Sequence, residues 1–135
     1  MTRLMFSFVF ILLTMAASCQ EATDAGKSKQ AGSKVNATLS LEQFKAKLDG
    51  KKNYILVDVR TPEEFGEGHI EGARNIDVQN GETFDAEFNK LDTKKTVLLY
   101  CRSGKRSRKA ADKLEAMGFR KVYDLKGGFL AWENE

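Results

Sequence analysis

Apolar residues recur along this chain in two rhythms, and turn residues separate them. Ser40-Leu41-Glu42-Gln43 has capping-box spacing, and Leu41, Phe44 and Leu48 follow at helical intervals until Gly50. Tyr54-Ile55-Leu56-Val57 is a continuous apolar run, the mark of a buried strand. Thr61-Pro62-Glu63-Glu64 predicts a second helix start, with Thr61 as cap, Pro62 in the first helical position and Glu64 closing the box. Phe65 continues it, and Gly66 and Gly68 keep it short. A strand is expected within Ala73–Val78, and Phe84, Phe88 and Leu91 lie on one helical face. Thr96–Tyr100 is the clearest strand. Ser107–Met117 reads as a helix with Ala110, Ala111, Leu114 and Met117 on one side and Gly118 as its stop. Lys121–Leu125 is a last strand, and Gly127-Gly128 turns into a short helix around Trp132.

Strands made of continuous apolar runs, alternating with amphipathic helices, predict an α/β domain. Its central sheet is mostly parallel, with helices on both faces. Such sheets bind ligands beyond the carboxyl ends of their strands. The places to search are therefore just after Val57 and just after Tyr100.

The N-terminal segment follows neither rhythm. Arg3 precedes a run from Leu4 to Met15 in which only Ser7 and Thr14 are polar, and Ala16-Ala17-Ser18 are small. This is the layout of a secretory signal over residues 1–18, too short for the ~20 residues of a spanning helix. Ala16-Ala17-Ser18-Cys19 resembles a bacterial lipobox. That resemblance implies cleavage before Cys19 and lipid on its thiol, with several acyl chains holding the protein at a membrane. The expected location is the bacterial cell envelope, in the periplasm or at the outer membrane. Residues 19–37 contain no aromatic residue and read as a flexible tether. The folded domain is expected over 38–135.

Composition narrows the function. The chain has 135 residues and a formal charge of +3, which suits one domain and gives no basis for nucleic-acid binding. Two cysteines, Cys19 and Cys101, cannot build a disulfide scaffold or a zinc cage. The single histidine, His69, excludes a site that needs two imidazoles. No metal or organic cofactor is called for.

Candidate chemistry concentrates in one loop. Cys101-Arg102-Ser103-Gly104-Lys105-Arg106 joins the clearest strand to the following helix. A tight loop entering a helix N-terminus turns backbone N–H groups inward and makes an anion pocket, and the anion can be the thiolate itself. Arg102, Lys105, Arg106, Arg108 and Lys109 fall beside Cys101 with no acid among them, a field that steers small anions. Arg108 and Lys109 read better as a solvated helix face.

Leu56-Val57-Asp58-Val59-Arg60, Glu64-Phe65, Gly68-His69-Ile70, Gly72-Ala73, Asn75-Ile76, Tyr100-Cys101-Arg102-Ser103-Gly104 with Arg106-Ser107, and Gly127-Gly128 with Trp132 follow one another across the domain. In this order and spacing they resemble a single rhodanese-like sulfurtransferase domain. The resemblance implies that Cys101 takes a sulfane sulfur from a small anionic donor such as thiosulfate. It would hold that sulfur as a persulfide and pass it to a thiophilic acceptor, cyanide or a thiol, in a monomer. Arg102, Ser103, Gly104, Lys105 and Arg106 would bind the substrate, with Arg106 the first choice for gripping an oxyanion. Asp58 and Arg60 would support the site as a charge pair. His69 is expected to brace its loop, Trp132 to join the core, and Arg74 stays open between surface charge and site rim.

Three other readings compete. Cys-dependent phosphatases place Arg after five intervening residues, where this chain has Ser107, and four residues separate Cys101 from Arg106. A dithiol oxidoreductase needs a resolving thiol near Cys101, and none is present. A non-enzymatic persulfide carrier or docking module at the cell envelope is the principal alternative.

Overall fold

The computed structural model describes residues 33–50 and 53–135. The signal segment, Cys19 and most of the expected tether lie outside the described residues. The elements are β1 (Val35–Leu39), α1 (Leu41–Asp49), β2 (Tyr54–Asp58), α2 (Pro62–Glu67), β3 (Arg74–Asn75), α3 (Gly81–Asn89), β4 (Thr96–Tyr100), α4 (Lys105–Ala116), β5 (Lys121–Leu125) and α5 (Gly128–Glu133). The five strands form one sheet in the order β1-β5-β4-β2-β3, and every described pairing is parallel. This is an α/β fold with a parallel central sheet and helices on both faces, as the alternation of elements predicts.

Side chains alternate across the sheet and feed two cores. Val57, Val97, Leu99 and Val122 meet Phe84, Phe88, Ala110, Ala111 and Leu114 on the α3/α4 face. Leu56, Leu98, Tyr100 and Leu125 meet Phe44 and Phe129 on the α1/α5 face. Cys101 is two residues beyond Leu99, so the same alternation turns it toward the α4 side, where it joins the first core. Trp132 is half-buried at the edge of the second.

Both capping boxes form. The Ser40 hydroxyl accepts from the Gln43 N–H while the Gln43 side chain accepts from the Ser40 N–H. Thr61 and Glu64 repeat the arrangement at α2. Three boundaries differ from expectation. The tether does not run to residue 37: Val35–Leu39 is a strand paired along its whole length with Lys121–Leu125. Its short Val-Asn-Ala-Thr-Leu run carries little apolar signal, and its stability comes from the ladder to β5. The strand expected within Ala73–Val78 shrinks to Arg74–Asn75 because the Asn75 side chain donates to the Asp58 and Arg60 carbonyls. Asp77 then accepts from the Gln79 N–H and turns the chain. Finally, α4 begins at Lys105, two residues before the expected start at Ser107. Ser107 is buried within the first turn and donates its hydroxyl back to the Gly104 carbonyl.

Candidate active site

The carboxyl end of β4 delivers Cys101 to the centre of the sheet edge. Its sulfur accepts the Gly104 N–H at 3.0 Å. This contact requires the chain to double back within three residues, which Gly104 achieves with a φ of +100°. Gly104 is also the N-cap of α4, and no side chain caps that helix. The first N–H groups of α4 and the positive end of its dipole are thus left to the loop.

The opposite side of the loop is tied down. The Cys101 carbonyl accepts from Phe129 N–H at 2.7 Å and the Arg102 carbonyl from Leu130 N–H at 3.1 Å. Gly128, at a φ of +60°, makes this approach possible: a Cβ there would overlap the Cys101 carbonyl oxygen and stand 2.6 Å from the Arg102 carbonyl carbon. With its carbonyls held by α5, the loop has its Gly104 amide on the sulfur. Cys101 itself is 1% exposed, at the base of the loop and away from the outer surface.

The cations around the loop divide by partner. Arg102, Ser103 and Lys105 are exposed. Arg106 is half-buried and forks onto Glu64, with Nη1 donating to Oε2 and Nη2 to Oε1, each at 2.7 Å. The Arg106 hydrogen bonds hold the Glu64 carboxyl down at about 2, against the opposing effect of burial. The same bonds raise the Arg106 pKa. The fork expected to grip a donor is therefore occupied by a carboxylate 42 residues away.

Arg108 departs from the solvated-face reading. It donates to the buried Asp124 at 2.7 Å and to Asp112 at 2.9 Å, and it also bonds Thr38 and Asn36. Desolvation raises the Asp124 pKa even though Thr38 and Arg108 oppose the shift. The cluster staples α4 to β1 and β5. Lys109 is exposed.

Asp58 and Arg60 are both buried and form a pair at the end of β2, with Arg60 Nη2 donating to Asp58 Oδ2 at 2.7 Å and to the Gly68 carbonyl. Burial opposes the Arg60 charge, but the Asp58 hydrogen bonds and field prevail and raise its pKa. The guanidinium lies 4.3 Å from the centre of the Phe129 ring. His69 places Nδ1 3.0 Å from the Phe65 carbonyl and stacks on the Phe65 ring, bracing its own turn. Arg74 lines a separate cleft with Tyr54 and Leu91.

Sequence reasoning did not single out a cleft of about 350 Å³ beside the cysteine loop, lined by Arg60, Glu64, Glu67, Arg102, Leu130 and Glu133 among others. Its walls come from α2, the β4–α4 loop and α5, which no local spacing links.

A family profile described as Rhodanese-like domain matches residues 40–135. The chain belongs to this family. It is 41% identical over 99 residues to the uncharacterized protein YqhL of Bacillus subtilis, covering 73% of this chain and 74% of that one. It is 32% identical over 117 residues to thiosulfate sulfurtransferase 18 of Arabidopsis thaliana, covering 78% and 86%. The human single-domain sulfurtransferase TSTD1 superposes with a TM-score of 0.61 at 26% identity, covering 73% of this chain and 96% of that chain. The rhodanese-like domain thus has sulfurtransferases among its relatives.

Proposed function

We propose that this rhodanese-like domain is a sulfurtransferase working by double displacement through a Cys101 persulfide. The observation that carries the reading is the Gly104 N–H aimed at the Cys101 sulfur, in a loop whose carbonyls are drawn away to α5. The Cys101 thiolate attacks the outer sulfur of an anionic donor such as thiosulfate. A new S–S bond forms, the donor's S–S bond breaks, and its electron pair leaves with sulfite. The Gly104 N–H and the uncapped start of α4 then face the negative terminal sulfur, as an oxyanion hole faces oxygen. Arg102 and Lys105, exposed at the loop, draw the donor in, and Arg106 acts from within its pair with Glu64. A thiophile such as cyanide or a thiol attacks the terminal sulfur and restores the thiolate, so ping-pong kinetics follow. No step needs a metal or organic cofactor. The buried Asp58–Arg60 pair holds the β2 end and the Gly68 turn against Phe129. The lipobox-like Cys19 and its leader support delivery of the domain to the bacterial cell envelope.

The test is intact mass spectrometry of the full-length protein with and without thiosulfate, in wild type and Cys101→Ser. One added sulfur in wild type, absent in the variant and removed by cyanide as thiocyanate, is the expected result. A sulfur that loads but is lost only to a partner protein would favour the carrier reading. No loading would overturn the proposal.

A further inference from the structure

We infer that the pole of the domain opposite Cys101 is a docking surface for an anionic phospholipid bilayer, and that docking there turns the cysteine loop away from the bilayer. The inference goes beyond sulfur transfer and rests on the reading that residues 1–19 deliver the chain to the cell envelope.

The sheet registers define this pole. Val35 pairs with Lys121, Lys121 with Thr96 and Thr96 with Tyr54, so β1, β5, β4 and β2 start at one level. The segments leading into three of these strands are bonded to one another. Arg120 donates its N–H to the Thr93 carbonyl at 3.2 Å, and Val35 donates to the Arg120 carbonyl at 2.7 Å. Lys34, Lys94, Lys95, Arg120 and Lys121 are thereby gathered at one end of the molecule. All five are exposed, and none has an ion-pair partner among the described residues. Lys47 adds a cation beside Asn53 and Thr96. The acids at this end are Asp49, Asp92 and Glu115, so cations stand in excess. Lys90 and Lys113 are cancelled by Glu87 and Asp85. On the flank, Arg74 and Glu71 line separate clefts and offset each other.

Helix dipoles account for Lys47 and Lys113, which lie in the last turns of α1 and α4. They do not account for the other five, which sit in loops or at strand starts. The chain itself supplies the second observation. It enters β1 at this pole, and Cys19 lies 14 positions before Ser33, the first described residue. Acyl chains on Cys19 would therefore keep the pole within about 50 Å of chain from the bilayer. Lysine and arginine within a Debye length of an anionic leaflet are drawn to it. Cys101 lies five positions beyond Thr96, about 16 Å from the level of the strand starts and about two Debye lengths at physiological salt. The bilayer charge thus neither captures the loop cations nor repels an anionic donor. Glu42, Glu63 and Glu82 stand in the first turns of α1, α2 and α3, on the loop side, and resist the inverted orientation.

The experiment places the full chain on vesicles of neutral phosphatidylcholine and on vesicles containing about 30% phosphatidylglycerol, and reads the acetylation rate of each lysine by peptide mass spectrometry. Attachment through residues 1–19 serves both vesicle types, so the contrast between them isolates surface charge. Acetylation of Lys34, Lys94, Lys95 and Lys121 is expected to slow about 3-fold or more on the anionic vesicles, and the slowing should vanish at high salt. Lys105 and Lys126, near the cysteine loop, should react equally on both. Lys94→Glu combined with Lys95→Glu should abolish the slowing at Lys34 and Lys121. Lys109→Glu combined with Lys126→Glu makes the same change in net charge and should preserve it. Equal acetylation of the pole on both vesicle types, or protection that moves to Lys105 and Lys126, overturns the inference. Intact mass of the same samples reports acylation of Cys19 and sulfur on Cys101. An unacylated Cys19 overturns the anchor reading, and the lysine contrast still decides the docking face.

Discussion

At the scale of single residues, the loop depends on Gly128, a position where a side chain cannot stand. Gly128→Ala would push a methyl into the Cys101 and Arg102 carbonyls from a left-handed backbone. The variant is expected to lose about 3 kcal/mol of stability, read from the urea midpoint. The fraction that stays folded should load sulfur on Cys101 far more slowly, because the Phe129 and Leu130 bonds that orient the loop would lengthen. A stable, fully active Gly128→Ala would show that the α5 contact does not set the loop geometry. The cysteine was legible in the sequence because its loop is one contiguous segment between a strong strand and a strong helix. The Arg106–Glu64 fork was not, since each residue has a satisfactory local reading. Glu64 closes a capping box, and Arg106 looks like a free cation beside a thiol.

Elements were legible where their ends carry side-chain signals. The boxes at Ser40 and Thr61 form as their spacing predicts, and continuous apolar runs marked β2 and β4. Elements held mainly by partners elsewhere were hidden, and β1 is the clearest case. Its ladder to β5 is backed by the Arg108 cluster, where Asn36 and Thr38 of the strand meet Asp124 and Asp112. Arg108→Ala should cost about 2–3 kcal/mol, because it leaves the buried Asp124 carboxylate with only a hydroxyl partner among these side chains. Hydrogen exchange should locate the damage in the Val35–Leu39 amides before it reaches β4. Lys109→Ala, one residue along and exposed, should fall within about 0.5 kcal/mol of wild type. Equal losses in both variants would mean that the cluster does not hold the strand.

Across the whole molecule, the pairs that organise the site also bind the fold's stability to pH. Glu64 ionises near 2 in the folded protein against 4.5 for the unperturbed group. Its folded pKa is depressed, so its contribution is complete above about pH 4.5–5 and is lost as pH falls toward 2. The pair is 25% exposed on each side, and solvent screening limits that contribution to about 1–2 kcal/mol. Asp124 acts in the other direction. Its folded pKa is raised, so native stability gains from its protonation as pH falls, which partly offsets the loss at Glu64. Urea denaturation of wild type and Glu64→Gln at pH 6 and pH 3 separates the two contributions. Wild type should be the more stable at pH 6, and the gap should narrow by about 0.5–1 kcal/mol at pH 3, since only wild type has that carboxylate to protonate. A gap that is constant with pH would mean that Glu64 stabilises the fold through its hydrogen bonds alone.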